Sequence, residues 1–136
     1  MDAYAERNQI LIELGFKDYP AYLRSPLWKS IREQKLAQDP ECYACARRDG
    51  QAIMQVHHGA YTLENLSGMV PSDLWSVCSR CHRWIEITKD GYKRNPQQAT
   101  EELFKIRKIY RERSKFKDDN RLKLDITRRG YRRLTK

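Results

Sequence analysis

With 136 residues, a formal net charge of +9, 33% charged residues and a mean hydropathy of -0.88, the chain predicts one small domain with a thin apolar core. No apolar run approaches the ~20 residues of a membrane span, and Met1-Asp2-Ala3-Tyr4 lacks a basic-then-apolar leader pattern. The expectation is a soluble protein of a reducing, cytoplasmic compartment.

Taken in chain order, Asp2 to Leu14 reads as a helix that Gly15 ends, so residues 1–18 form an N-terminal helical unit. Ser25-Pro26 supplies an N-cap and a proline at the first helical position, which opens a helix to about Gln38. Leu27, Trp28, Ile31 and Lys35 share one side of it, with Leu36 close by, and Asp39-Pro40 stops it. Ala52 to His57 alternates Ile53, Gln55 and His57 against Met54 and Val56, the period of a short strand. A long loop, Gly59 to Ser72, follows, and Asp73 to Val77 returns the chain toward a helix over Ser79 to Thr88. Asn95-Pro96 begins the last long helix, on which Ala99, Leu103, Ile106 and Tyr110 recur at helical spacing; after Asp118-Asp119 comes a basic tail, Arg121 to Lys136.

Every cysteine and every histidine falls in one ordered set: Cys42-x-x-Cys45, then His57-His58, then Cys78-x-x-Cys81-His82. Two Cys-x-x-Cys pairs make a four-thiolate tetrahedral site, the usual arrangement for structural Zn2+. Two disulfides are the alternative; the paired spacing and the absence of a secretory pattern favour zinc. A closed four-cysteine site has no room for histidines, which leaves three imidazoles for other work. Successive strand residues point to opposite faces, so His57 and His58 cannot both reach one ion; one can bind metal while the other faces a substrate. Neighbours on a helix project about 100° apart, so Cys81 can face the zinc while His82 faces a second ion. Glu86, one turn beyond His82 on the same face, is either a solvated helix acid or a further ligand. Trp28, Trp75 and Trp84 read as packing around the zinc core.

The order knuckle, strand, His-His, loop, knuckle, His-on-helix resembles the HNH endonuclease family. So do Tyr22-Leu23-x-Ser25-x-x-Trp28-x-x-x-Arg32, Val56-His57-His58 with Tyr61, and Asp73-Leu74-x-x-Val77-Cys78-x-x-Cys81-His82-x-x-Ile85. The resemblance covers residues 19–88 and implies an α+β fold. Its small ββα-metal core (residues 19–95) would be stapled by zinc and flanked by helices and a basic C-terminal helix and tail (96–136). It further implies DNA phosphodiester hydrolysis with one divalent ion, giving 5′-phosphate and 3′-hydroxyl ends. His57 takes the ligand position beside His82, with Glu86 where family members often carry histidine. His58 is the general base. Mg2+ or Mn2+ is the expected working ion, and two imidazoles would also accept Ni2+, Co2+ or Zn2+. Asp73 stands where the family usually has Asn to brace the loop; Asn65 is a second candidate for that role. Gly59 replaces the branched apolar residue common after the base.

Residues 1–96 carry 13 Lys/Arg and 12 Asp/Glu, whereas residues 97–136 carry 14 and 6. Nearly all the excess charge therefore lies in the C-terminal part, which points to a polyanionic partner, duplex DNA first, rather than a membrane or a small-molecule cofactor. Arg121, Arg128, Arg129, Arg132 and Arg133 read as a phosphate-tracking arm, and Arg80 and Arg83 flank the third histidine as further phosphate contacts or plain exposed arginines. A zinc-stabilised nucleic-acid-binding module without catalysis is the competing reading. Oligomeric state, target sequence and strand number are not encoded in any of these features.

Overall fold

The computed structural model describes residues 2–69 and 73–130, with side chains through Lys115. Its elements are α1 (Ala3–Glu13), α2 (Tyr19–Leu23), α3 (Pro26–Gln38), β1 (Met54–His58), α4 (Leu63–Ser67), β2 (Leu74–Cys78), α5 (Ser79–Glu86) and α6 (Pro96–Gly130). This is an α+β arrangement in which one antiparallel hairpin-like sheet is surrounded by helices. Among the described residues, no helix is long and apolar enough to cross a membrane.

The helix starts follow local chemistry. Asp2, Asp18, Ser25 and Thr62 each cap a helix by accepting a backbone N–H three residues on, and Pro26 occupies the first turn of α3. The segment read from sequence as a long loop contains α4, which Thr62 starts and Gly68 ends in the left-handed region at φ 79. There glycine also avoids contact, since a Cβ at position 68 would come within 2.8 Å of Ile31. The backbone of α6 continues through Asp118-Asp119 to Gly130, where the sequence reading placed a break and a tail. Arg132 and Arg133 lie outside the described residues, and only the backbone of Arg121, Arg128 and Arg129 is described.

In the sheet, Met54 pairs with Cys78, Val56 with Ser76, His57 with Trp75 and His58 with Leu74. Side chains on opposite faces therefore enter two separate cores. Gln55, His57, Trp75 and Val77 face α5 and α6, where Val77, Ile85, Ala99, Leu103 and Ile106 pack with the cysteines. Val56, His58 and Leu74 face the other way, and there Val56 and Leu74 join Leu11, Tyr22, Trp28, Ile31 and Leu66. Leu11 is fully buried, so α1 closes this second core rather than standing apart. Two contacts tie the first knuckle to the sheet and to α6: Tyr43 N donates to Ser76 O (2.8 Å), and Arg107 both donates to Tyr43 O (2.8 Å) and stacks 3.8 Å over the Tyr43 ring.

Candidate metal centre

Four cysteines converge where the first knuckle meets the end of β2. Cys78 ends the strand and caps α5, its Sγ accepting from Cys81 N at 3.4 Å. Cys42, Cys45, Cys78 and Cys81 place their sulfurs within 4.8 Å of one another, and none is in a disulfide. Tetrahedral coordination with Zn–S bonds of ~2.3 Å requires S···S edges of ~3.8 Å; Cys45 Sγ and Cys78 Sγ are 3.7 Å apart. The donor set, its spacing and its burial thus fit a structural zinc ion. The Cys42 thiol is pushed down to about 4, chiefly by a hydrogen bond from Cys81, and burial pushes the Cys45 thiol up. Hydrogen bonds from neighbouring cysteines favour the thiolate at Cys42, the form a metal ligand must take.

A second cluster lies on the outward side of the same helix. His57 from β1 and His82 and Glu86 from α5 bring one ligand atom each to within 4.8 Å of one another. Each imidazole is held from behind. His82 Nδ1 lies 2.7 Å from Gln55 Oε1, and His82 Nε2 lies 2.8 Å from Glu86 Oε1. His57 Nε2 lies 2.9 Å from Thr100 Oγ1, whose hydroxyl donates to Pro96 O at 2.8 Å. With its proton committed to Pro96, Thr100 accepts from His57 Nε2–H, which leaves the Nδ1 lone pair free. Burial, and next the charge of His82, push the His57 imidazole down to about 4, so it is neutral and able to ligate. The hydrogen bond from His82 holds the Glu86 carboxyl below the usual carboxylate range. Two imidazoles and a carboxylate suit Mn2+, Co2+, Ni2+ or Zn2+ and also admit Mg2+.

His58 takes the opposite face, as strand alternation requires, but that face is packed rather than open. Its ring stacks on Trp28 (centroids 4.6 Å, planes 30° apart) and lies near Tyr19, Tyr22 and Tyr61. His58 is 4% exposed, and its Nε2 is buried without a hydrogen-bond partner among the described residues. Burial, then the charges of His57, His82 and Arg7, push it down to about 3.

The loop brace is Asn65. It is buried, Nδ2 donates to Ala60 O (3.1 Å), and Oδ1 accepts from Asp73 N (3.4 Å). Asp73 contributes its main chain, accepting from Gly59 N at 2.7 Å, while its residue surface is exposed. Gly59 is explained by crowding. A Cβ there would sit 3.2 Å from Asp73 O, Thr100 Oγ1 and Trp75 Nε1, in the space the Thr100–His57 contact occupies.

Other expectations are corrected. Trp75 packs against the zinc-side core, but Trp28 belongs to the His58 cluster and Trp84 is 60% exposed. Arg80 and Arg83 are exposed on α5, and Arg80 donates to Tyr110 Oη at 3.1 Å. Sequence reasoning gave Gln55 and Thr100 no role. Gln55 was legible as a face-mate of His57, whereas Thr100 is 43 positions away on another element with no local signal. No family model, curated protein or solved structure matches the chain.

Proposed function

We propose that this chain is a metal-dependent endonuclease of the HNH type, which hydrolyses DNA phosphodiester bonds. One observation carries the reading: His57, His82 and Glu86 converge beside, but separate from, a four-cysteine cluster on the same strand–strand–helix unit. A purely structural zinc module has no need of the second cluster. A divalent ion held there would neutralise charge on the phosphoryl group and on the departing 3′ oxygen. Thr100 and Gln55 would hold the two imidazoles from behind, leaving His57 Nδ1 and the His82 Nε2–Glu86 side to face the ion. Neutral His58 takes a proton from the attacking water as the new P–O bond forms. The P–O3′ bond breaks, and the 3′ oxygen gains a proton from solvent. The basic C-terminal part of α6 supplies general affinity for the duplex.

The second reading is a zinc-stapled nucleic-acid-binding module without catalysis, and the enclosure of His58 favours it. A supercoiled-plasmid assay over Mg2+, Mn2+, Ni2+, Co2+ and Zn2+, with metal counting, separates the two. The endonuclease requires cleavage, one tight zinc and a weaker second ion that His82→Ala loses. A single zinc per chain and intact plasmid under every ion would refute it.

A further inference from the structure

We propose that Arg7 and Lys93 form a phosphate clamp beside the His57–His82–Glu86 centre, gripping the DNA backbone next to the bond to be cut. The inference rests on the endonuclease reading and adds a binding site from two segments, α1 and the α5–α6 connection, that lie outside residues 19–88. Both cations are set on one ring: the Arg7 guanidinium lies 5.2 Å and the Lys93 ammonium 4.8 Å from the Tyr4 centroid. Tyr4 Oη donates to Arg94 O at 2.9 Å, so α1 is pinned to the α5–α6 connection. Arg7 also lies 4.0 Å from the Tyr19 ring and 5.1 Å from the Tyr61 ring, and Tyr61 in turn is 5.5 Å from His58. Tyrosine faces hold a guanidinium flat and leave its N–H edge free for an anion.

The two cations reach the centre from different sides. Lys93 pairs with Ile87, the neighbour of Glu86, and Arg94 N donates to Glu86 O at 2.7 Å, whereas Arg7 approaches His58 across the Tyr61 ring. Their charges are unspent. Among the described residues neither forms an ion pair, whereas Lys35, Arg48 and Arg94 do. Among the described residues, the one side-chain hydrogen-bond partner of Arg7 is the neutral amide of Asn8, which accepts from Nε (3.2 Å) and Nη2 (3.1 Å). Arg32 and Arg107 are committed to main-chain carbonyls and Arg80 to Tyr110. Because both cations lie about 5 Å from one centroid, they are at most about 10 Å apart. Two adjacent phosphates of one strand fit within that limit. Phosphates on one DNA strand match this spacing and charge.

The test is fluorescence anisotropy of a short duplex with the zinc-loaded full chain, without added divalent ion, over about 50 to 200 mM salt. A slope of about 0.9 per phosphate makes each contact worth about eightfold at 0.1 M salt. Arg7→Gln and Lys93→Gln should each weaken binding about eightfold and flatten the slope by about 0.9, with roughly sixtyfold for the pair. Arg7→Lys should retain most of the slope. Lys93 is exposed, so Lys93→Gln decides the matter even if Arg7→Gln loosens α1. Wild-type affinity and slope in Lys93→Gln overturn the clamp while leaving plasmid cleavage, and the endonuclease reading, untouched. A wild-type chain that neither binds duplex nor cuts plasmid overturns both.

Discussion

His58→Phe separates chemistry from packing more cleanly than any other single change. The ring sits against Trp28 at 4.6 Å, and its Nε2 is buried and unbonded among the described residues. Phenylalanine keeps the ring contact, worth about 0.5–1.5 kcal/mol beyond area. It also removes a polar atom whose unmet hydrogen bond costs about 1–3 kcal/mol. Stability should therefore hold or rise by about 1 kcal/mol, a shift of roughly 3–5 °C in Tm for a chain of this size. His58→Ala, by contrast, leaves a cavity among the rings and should cost about 2–4 kcal/mol. Catalysis should respond the other way, because loss of a general base removes about 10²–10⁴ in rate. Thermal melts, zinc content and plasmid nicking in Mn2+ read the two effects on the same preparations. If His58→Phe cuts DNA at the wild-type rate, His58 is a packing residue and not the base. If it melts far below wild type, Nε2 has a partner that the enclosed-ring account lacks.

Asn65→Ala strips hydrogen bonds from Ala60 O and Asp73 N and should cost about 1–3 kcal/mol. Asp73→Asn, at an exposed side chain, should stay within about 0.5 kcal/mol of wild type; chemical denaturation of both variants checks that Asn65 is the brace. Cys81→Ser should abolish zinc binding and native helix content together. Structural zinc contributes about 10–16 kcal/mol in small modules, comparable to the whole stability of a domain, and circular dichroism with metal analysis would expose a folded, zinc-free variant. Gly59→Val should overpack the space beside Thr100 at a cost of about 1–3 kcal/mol. Because it displaces the partner of His57 Nε2, calorimetry should show second-ion affinity down by about 10–100-fold with zinc retained; unchanged affinity would remove Thr100 from the account.

The parts of the site legible in the sequence are those set by short-range periodicity. Cys-x-x-Cys spacing, strand alternation at His57-His58 and the turn from His82 to Glu86 each concern residues at most four apart. Those directions follow from local backbone geometry alone. Ser25-Pro26 announced α3 in the same way, through a cap and a fixed φ. The sequence did not disclose what each direction meets. Strand parity says that His58 turns away from His57 but not that Trp28, from a helix 30 positions earlier, is waiting there. Short α2 and α4 were missed because five residues carry too little periodicity to register; their caps, Asp18 and Thr62, are the local signals that could have marked them.

The same limit explains why the terminal helices matter to the two clusters. Burying and orienting the His57 imidazole requires a hydrogen-bond partner for Nε2, and among the described residues it comes from neither the hairpin nor α5. Thr100 does so from the first turns of α6, where its hydroxyl is already committed to Pro96 O, and Gly59 leaves the room. On the opposite flank α1, through Tyr4, reaches the connection that follows Glu86 and sets Arg7 against Tyr61, which lies beside His58. Cys81 and His82 are consecutive on one helix, so the face that Cys81 turns toward the other sulfurs sets the rotation at which His82 meets Gln55 and Glu86. A site assembled this way needs its terminal helices for orientation and charge, and its thiolates for registration.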